Sequence, residues 1–421
     1  MNDLLKESLS KTPCSVTLFD QPATDSTHPK LTVLIPTMNE ARTIGTFIDW
    51  VFEGFHKVQI QGELLIVDSS EDSTPEIAYE KGARVLRIPR NGLGDAYRQA
   101  VPYVKGEYVI LGDADCTYDF REIGQFLSKF LEGHDFVMGS RFKGNIQPGS
   151  MPFLHRYLGT PATTWLVKIL HGLPFSDIHC GMRGITKALL RKLPFDEPGW
   201  EYAPEMVIRA GQFSKNPSEV PINFLKEPDG RISHFRRGRF AFLAPLKAGL
   251  GSIRVTIMHA LDKVLMTIGG VMFAGSSLLV FGIGVGPLNL GPLEFSANTS
   301  LVFFSMGIMG FNLLIFGNML KRLFGRPGNR SALAKKLLGF NFTSAVLFLY
   351  SIGFVSYLAS YYVKCGLGTS CEYWSAGYNS RILIAVAYGF IIATLTWFGS
   401  IIRSYLDYQD YSKISENLRH D

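Results

Sequence analysis

Four long apolar runs fill the second half of the chain, and they restrict its possible folds more than any other feature. None of the four contains an Asp, Glu, Lys or Arg. They cover residues 264–285, 299–320, 337–362 and 382–402. Each reaches the roughly 20 residues that a helix needs to cross a bilayer, whereas buried helices of soluble domains normally keep a polar face. The sequence therefore predicts an integral membrane protein, with an all-α domain of four transmembrane helices over residues 264–405.

The charges between these runs predict the orientation of the chain. A cluster of bases separates the second and third runs, and its members are Lys321, Arg322, Arg326, Arg330, Lys335 and Lys336. Residues 286–298, between the first two runs, contain no Lys or Arg. The positive-inside rule places the basic loop, the front domain, both termini and the tail over residues 406–421 in the cytoplasm. Cys365 and Cys371 share the predicted outer loop and could pair there, but unpaired thiols fit the sequence equally well.

Composition characterises the two segments that flank the front domain. Residues 1–30 are polar and lack the apolar core of a cleavable signal, so we expect a polar N-terminal tail. Residues 236–263 alternate bases with large apolar side chains, which predicts an interfacial amphipathic connector; an ordinary linker is the alternative. The net charge of +6 is modest, and bases near a bilayer more often meet anionic lipid than nucleic acid. We see no nucleic-acid recognition module and expect no such partner.

The front domain, residues 31–235, alternates predicted strands with predicted helices. Short apolar runs predict strands at 31–35, 63–67, 83–88, 107–111 and 136–138. Apolar residues recur at helical spacing over 44–55 and 123–131. Such alternation predicts an α/β fold with a mainly parallel, Rossmann-like sheet covered on both faces.

Polar and acidic side chains follow three of the predicted strands. They are Asn39 and Glu40, which follow Pro36 at the end of the first strand, Asp68 after the second, and Asp113 and Asp115 after the fourth. The carboxyl ends of parallel strands meet at one edge of a sheet, where ligands of open α/β folds bind. The glycine pattern of dinucleotide-binding folds and the P-loop are both absent. Phosphate charge at this edge would therefore be met by a metal ion and basic side chains.

An ordered set of motifs resembles the family 2 glycosyltransferases of GT-A fold, specifically the dolichol-phosphate or polyprenyl-phosphate sugar synthases. The motifs are Ile35-Pro36-Thr37-Met38-Asn39-Glu40, Val67-Asp68-Ser69-Ser70, residues 90–97, Asp113-Ala114-Asp115 and Gly139-Ser140-Arg141. Each motif alone is weakly specific, but their order along residues 31–235 is specific. An α/β domain without transferase activity is the alternative.

The resemblance implies a donor site for a nucleotide sugar. Pro36, Asn39, Glu40 and Asp68 would hold the nucleobase and ribose, and Gly92 and Gly94 would form the glycine loop beside the donor. Asp113 and Asp115 would bind Mg²⁺ or Mn²⁺, with Asp115 as the more direct ligand. Many relatives carry a further ligand, Gln, two residues later, but this chain has Thr117.

The resemblance also implies a site for a lipid phosphate. Arg141, Arg156 and Thr160 match positions that grip this phosphate, while Asp177 and Arg183 would shape the acceptor side. Asp115, Arg141 and Arg156 are thus the implied catalytic residues. We expect His179 to be structural, because a lone His beside Cys and Asp lacks the further ligands of a zinc site. Which base reaches the donor diphosphate is open, with three candidates: Lys226, Arg231 and Arg236.

The implied reaction is a metal-dependent, inverting transfer of a hexose from a nucleotide sugar, of the GDP-mannose or UDP-glucose type, to a membrane polyprenyl or dolichyl phosphate. An ionised phosphate needs no general base, unlike a sugar hydroxyl. A membrane-bound polysaccharide synthase is the first alternative, although its Gln-x-x-Arg-Trp signature is missing. A non-catalytic lipid carrier or scaffold is the second, although both metal acids are present. The sugar, the isoprenoid length and homo-oligomer formation remain open.

Overall fold

A computed structural model describes residues 8–10, 13, 15–21, 29–194, 196–228, 244–285, 288–290, 293–295 and 297–323. The chain forms two compact units, the first ending at Ile257 and the second beginning at Met258. Part of the predicted connector, the apolar runs at 337–362 and 382–402, and the predicted tail lie outside the described residues. Arg231 and Arg236 lie outside them as well.

An eight-stranded sheet forms the core of the described first unit, in the order β1-β4-β3-β2-β5-β7-β6-β8. The strands are β1 (Thr17–Phe19), β2 (Leu31–Thr37), β3 (Gly62–Asp68), β4 (Arg84–Arg87), β5 (Tyr108–Leu111), β6 (Phe136–Ser140), β7 (Arg183–Thr186) and β8 (Pro217–Pro221). Strands β4, β3, β2 and β5 are parallel, and so are β6 and β8. Strand β7 is antiparallel to both of its neighbours, and β1 is antiparallel to β4. The prediction of an α/β domain with a mainly parallel sheet is confirmed.

The central strands form where the sequence is continuously apolar. Val33, Leu34 and Ile35 of β2 are fully buried, as expected for a parallel sheet covered on both faces. All five predicted strands are present with slightly shifted ends. The segment predicted as a polar tail contributes β1, so part of residues 1–30 belongs to the sheet.

The helices as far as Met258 are α1 (Ile44–Lys57), α2 (Thr74–Glu80), α3 (Leu93–Ala100), α4 (Gly124–Leu131), α5 (Thr160–His171), α6 (Lys187–Leu190), α7 (Tyr202–Phe213) and α8 (Ala244–Met258). Short 3₁₀ segments lie at Val101–Tyr103 and Phe120–Glu122, and a π-helix at His155–Gly159 leads into α5. The predicted periodicity of α1 is confirmed: Ile44, Phe47 and Val51 are fully buried. The Phe47 ring packs edge-on against Phe120 with the centroids 4.9 Å apart.

The described part of the second unit contains two long helices, α9 (Leu261–Val285) and α10 (Ala297–Leu323), joined through strands β9 (Leu288–Leu290) and β10 (Leu293–Phe295). Their segments Leu261–Val280 and Leu301–Asn318 are long and apolar enough to cross a membrane, with mean hydropathies of 1.6 and 1.7. A Cβ added at Gly269 would lie 2.6 Å from the carbonyl oxygen of Gly310. Small residues thus let the two backbones approach closely, as in packed membrane helices.

Candidate active site

Asp68, the last residue of β3, is fully buried and surrounded by hydrogen-bond donors. Its Oδ1 accepts hydrogen bonds from the Thr37 hydroxyl at 2.7 Å and the Ser70 hydroxyl at 2.6 Å. Its Oδ2 accepts from the Ser70 backbone N–H at 3.0 Å and pairs with the buried guanidinium of Arg87. Burial raises the pKa of Asp68, although the Ser70 hydrogen bonds, the Arg87 charge and the Thr37 hydroxyl act against this. Asp68 therefore ties together the ends of β2, β3 and β4.

The loops that follow β2 and β3 are hydrogen-bonded to each other. Asn39 has a left-handed backbone (φ 58), and its N–H donates to the Ser70 hydroxyl at 2.7 Å. The Asn39 side-chain oxygen accepts from the Glu71 N–H at 2.9 Å, and the Glu40 N–H donates to the Thr74 hydroxyl at 2.9 Å. Thr37 pairs with Asp68 in the sheet register, so the ends of β2 and β3 lie side by side. The residues predicted to hold the nucleobase and ribose, Pro36, Asn39, Glu40 and Asp68, therefore lie at one edge of the sheet.

Gly92 and Gly94, the predicted glycine loop, begin α3 and pack against the backbone of the 197–199 segment. A Cβ at Gly94 would lie 1.9 Å from the carbonyl oxygen of Glu197, and one at Gly92 would lie 2.3 Å from that of Pro198. The Gly94 N–H donates to the Pro198 carbonyl at 2.8 Å, and Gly92 has a φ of +112°. This close backbone approach explains both glycines without a ligand.

Asp113 and Asp115 follow β5 on a tight turn, and both are half-buried. A Cβ at Gly181 would lie 2.3 Å from Oδ2 of Asp113, so glycine leaves the space that this carboxylate occupies. Oδ1 of Asp115 accepts from the Thr117 N–H at 3.0 Å and from the Thr117 hydroxyl at 2.6 Å. Cys116, which lies between Asp115 and Thr117 in the chain, has a left-handed φ of 58°. The residue that replaces the Gln of many relatives therefore orients Asp115.

These two carboxylates fit a divalent cation. They supply hard oxygen ligands one residue apart, and part of each residue remains solvent-accessible. Among the described residues, no group of three or more His, Cys, Asp or Glu side chains could hold a metal ion. An ion at Asp113 and Asp115 would therefore take further ligands from substrate phosphates and water, as Mg²⁺ commonly does.

Arg141 follows β6 and is bound to Asp177 at two points. Its Nε donates to Oδ2 at 2.6 Å and its Nη2 donates to Oδ1 at 2.8 Å, with Asp177 fully buried. The guanidinium also lies over the Phe224 ring, 5.2 Å from the centroid. This fork geometry fixes the plane of the guanidinium and leaves Nη1 as the nitrogen that Asp177 does not use.

The other predicted acceptor residues lie in different surroundings. Arg156, on the π-helix, is half-buried and its guanidinium lies 5.5 Å from the Tyr157 ring centroid. Thr160, the first residue of α5, is buried. Arg183, on β7, is also buried: its Nε donates to the Cys180 carbonyl at 2.8 Å and its Nη1 to the Ala203 carbonyl at 3.0 Å. The bond to Ala203 ties β7 to the start of α7, which is a structural use of the Arg183 guanidinium.

His179 has the surroundings of a structural residue. Its Nε2 lies 2.8 Å from the Thr163 hydroxyl. Burial and the charge of Arg141 lower the pKa of His179 to about 4, so the ring is neutral near pH 7. This agrees with the expectation that His179 is structural.

Sequence reasoning missed two features near the site. Phe224 reaches the site through isolated bridges to Tyr118 and Ile146, and no local pattern indicates these contacts. The second feature is a buried ion network in which Arg209 donates to Glu205 at 3.0 Å and to Asp196 at 2.6 Å. The four-residue spacing of Glu205 and Arg209 on α7 is a signal that could have revealed this pair.

Comparison with known proteins places this geometry in a family. Residues 32–196 match the family described as Glycosyl transferase family 2. A hexosyltransferase of low-salt glycan biosynthesis from Haloferax volcanii, Agl6, is 35% identical over 290 residues, which cover 69% of this chain and 68% of that protein. The chain therefore belongs to the family 2 glycosyltransferases and is a glycosyltransferase, which confirms the resemblance seen in the sequence.

Two further proteins are similar over the front domain. A dolichyl-phosphate hexose transferase of Haloferax volcanii is 33% identical over 204 residues, covering 48% of this chain and 85% of that protein. A solved structure, glucosyl-3-phosphoglycerate synthase from Mycobacterium tuberculosis with phosphoglyceric acid, covers 55% of this chain and 80% of that one, with 21% identity and a TM-score of 0.42. A structural likeness of this size transfers neither ligand nor activity.

Proposed function

We propose that the protein transfers a hexose from a nucleotide sugar, of the GDP-mannose or UDP-glucose type, to a polyprenyl or dolichyl phosphate in the membrane. The products are a polyprenyl-phosphate sugar and a nucleoside diphosphate, and the anomeric configuration is inverted. The observation that carries the proposal is the carboxylate pair after β5, in which Gly181 leaves room for Asp113 and Thr117 orients Asp115. Membership of the family and the similarity to a dolichyl-phosphate hexose transferase support it.

On the donor side, the ordered edge of the sheet would receive the nucleotide. Pro36, Asn39 and Glu40 would lie along the nucleobase and ribose, on loops that the Ser70 and Thr74 hydroxyls hold in place. Asp113 and Asp115 would hold Mg²⁺ or Mn²⁺, which when bound neutralises charge on the departing diphosphate. Such an arrangement would be that of a GT-A fold.

On the acceptor side, the attacking group would be a phosphate oxygen that is already ionised near neutral pH. Because its pKa is lowered to about 4, His179 would be a weak proton acceptor, and an ionised phosphate needs no general base. Asp177 fixes the guanidinium of Arg141, and Arg156 supplies a second cation. Two guanidinium groups could hold a phosphate in one orientation and reduce its repulsion from the donor diphosphate.

We further propose that the enzyme is a multi-pass membrane protein whose catalytic domain and termini are cytoplasmic. The two candidate spans within the described residues support membrane attachment, and the basic loop after the second run supports the orientation. Attachment would keep the active site at the surface where an isoprenoid phosphate presents its headgroup. We rank anchoring and homo-oligomer formation above lipid transport as roles of the helices.

The test is a transfer assay with the full-length protein in nanodiscs. Labelled GDP-mannose or UDP-glucose is supplied with Mg²⁺ or Mn²⁺ and polyprenyl phosphate, and label is followed into the organic phase. Lipid-soluble label that is lost on chelation supports the proposal. A water-soluble polymer would instead indicate a polysaccharide synthase. No transfer from either donor, in a preparation that binds the nucleotide, would overturn the proposed reaction.

A further inference from the structure

A hydrogen bond between two side chains, His179 and Thr163, links α5 to the turn that precedes β7. Nε2 of His179 lies 2.8 Å from the Thr163 hydroxyl oxygen. The same hydroxyl oxygen lies 2.8 Å from the carbonyl oxygen of Gly159, the last residue of the π-helix, and 3.1 Å from that of Thr160. The buried Thr163 side chain therefore joins the end of the π-helix to the turn that carries His179.

The partners of the Thr163 hydroxyl assign the hydrogen atoms of this contact. A threonine hydroxyl has one hydrogen, and carbonyl oxygens only accept. The Thr163 hydroxyl therefore donates to a carbonyl at the end of the π-helix and accepts from Nε2 of His179. Burial, and after it the charge of Arg141, lower the pKa of His179 to about 4, so the ring is neutral near pH 7 and carries one N–H. That hydrogen is on Nε2.

The turn that carries His179 also holds the guanidinium of Arg141. The His179 backbone N–H donates to Oδ1 of Asp177 at 3.3 Å. The Asp177 carboxylate accepts the two guanidinium hydrogen bonds of Arg141 and, at 3.2 Å, its backbone N–H. Two residues of one turn thus have different partners: Asp177 holds Arg141, and His179 holds Thr163.

The other end of the contact is the π-helix that carries Arg156. The Arg156 backbone N–H donates to the Pro152 carbonyl at 3.0 Å, and the π-helix ends at Gly159, whose carbonyl lies beside the Thr163 hydroxyl. Single π-helical turns are rare and are frequent at functional sites. The hydrogen bonds of His179 and Thr163 therefore connect the turn that holds one proposed phosphate-binding arginine to the helix that carries the other.

We propose that the hydrogen bond between His179 and Thr163 is a positioning contact that sets the spacing of the Arg141 and Arg156 guanidinium groups for the acceptor phosphate. The inference rests on the acceptor site of the proposed function and adds two residues that act through the arginines. A phosphate held by two guanidinium groups needs both at fixed places, and a displacement of about 1 Å can cost about 100-fold in rate.

The experiment uses the full-length protein in detergent micelles and two pairs of variants. His179→Asn is too short to reach Thr163, whereas His179→Gln places an amide nitrogen near the position of Nε2 and keeps a donor. Thr163→Val removes the hydroxyl, whereas Thr163→Ser keeps it. The control is Thr256→Val on α8, because the buried Thr256 hydroxyl also donates to the carbonyl four residues earlier, that of Ser252, at 2.8 Å.

Transfer kinetics measure the effect on each substrate. His179→Asn and Thr163→Val should raise the KM for polyprenyl phosphate by about 10-fold, while the KM for the nucleotide sugar and the unfolding midpoint stay near those of the wild type. His179→Gln, Thr163→Ser and Thr256→Val should all keep a KM close to that of the wild type. An unchanged acceptor KM in both disruptive variants, with or without a lower unfolding midpoint, would overturn the inference.

A double-mutant cycle tests whether the contact acts through Arg156. Binding of farnesyl phosphate, without a donor, is measured by calorimetry. Thr163→Val should weaken this binding in the wild-type background but have no further effect after Arg156→Ala, because residues that act as one unit are not additive. An equal loss in both backgrounds would overturn the inference, and so would a wild-type protein that does not bind farnesyl phosphate.

The same two measurements separate this inference from the proposed function. Lipid-linked product with an unchanged acceptor KM in His179→Asn and Thr163→Val would defeat the inference and leave the function standing. Farnesyl phosphate binding that is weakened in these variants and kept in His179→Gln and Thr163→Ser, without transfer from either donor, would defeat the function and leave the positioning contact standing.

Discussion

The ends of β3 and β5 look alike in sequence, since each apolar strand delivers an aspartate to the same edge of the sheet, but the structure uses them differently. Asp68 after β3 is fully buried and accepts from Thr37, Ser70 and Arg87. Asp113 and Asp115 after β5 are only half-buried. One strand end is thus closed by protein donors, whereas the two aspartates at the other remain partly solvent-accessible as residues.

The number of hydrogen bonds that the Asp68 carboxylate accepts indicates the role of this residue. An ionised carboxylate offers about four lone-pair sites, and Asp68 meets two donors on each oxygen. Its acceptor capacity is therefore used within the protein, and its main effect is to hold three strand ends and the Ser70 loop in place. We infer that Asp68 supports the nucleotide site through this loop, while the proposed metal chemistry depends on Asp113 and Asp115.

The largest expected effect is a loss of transfer activity on mutation at the end of β5. Asp115→Asn should lower the transfer rate by roughly 1,000-fold or more, because metal stabilisation of a leaving group contributes several kcal/mol. Its melting temperature should stay close to that of the wild type. The matched control is Asp119→Asn, which removes an acid of the same loop that pairs with Arg121. Comparable activity of the Asp115 and Asp119 variants would remove the metal assignment.

The second prediction concerns stability at the other strand end. Asp68→Asn breaks the buried ion pair between Asp68 and Arg87, which should cost about 3–5 kcal/mol of folding stability. The thermal unfolding midpoint of the detergent-solubilised protein measures this. Asp49→Asn is the control, because Asp49 and Lys81 form an exposed pair that should contribute no more than about 1 kcal/mol. A normal midpoint with abolished nucleotide binding would instead make Asp68 a direct ligand.

Much of the fold was predictable because parallel strands buried on both faces read as continuous apolar runs. The strands that the sequence did not reveal lack this pattern. Strand β7 contains Arg183 and Gly184, and the glycine is there because a Cβ would lie 2.7 Å from the Phe130 ring. Strand β8 begins and ends with proline, which is tolerated because β8 lies at the edge of the sheet.

The sequence predicted which residues lie at the candidate site, but not the contacts that hold them. The sequence placed Asp68, Asp113 and Asp115 at one edge, but the difference between them depends on long-range partners. Thr37 is 31 positions from Asp68, and Asp177 is 36 positions from Arg141. Side-chain pairs of this separation leave no periodic signal in a single sequence, so the saturation of Asp68 and the anchoring of Arg141 required the structure.

The third prediction tests the space beside Asp113. Gly181→Ala places a Cβ 2.3 Å from Oδ2 of Asp113 and 3.0 Å from the Tyr118 ring, so the carboxylate must move. Displacing a metal ligand in this way should weaken the apparent affinity for Mn²⁺ by about 10- to 100-fold. Gly249→Ala, on α8, is the control because no atom lies within 4 Å of its added Cβ. The metal dependence of the transfer rate measures both, and identical curves would show that Asp113 is not part of the metal site.

The last prediction makes the same chemical change at both strand ends. The Thr117 hydroxyl donates to Asp115 at 2.6 Å, and the Thr37 hydroxyl donates to Asp68 at 2.7 Å. Removing one such donor to a charged group should cost about 1.5–3 kcal/mol. We expect the loss to appear in the transfer rate at one strand end and in the folding stability at the other. Thr117→Val should lower the transfer rate at limiting metal while the unfolding midpoint changes little, because Asp115 loses orientation rather than burial. Thr37→Val should lower the unfolding midpoint while the metal dependence stays normal. If both variants lost stability and neither changed its response to metal, the two aspartates would share one structural role and the distinction between the strand ends would fail.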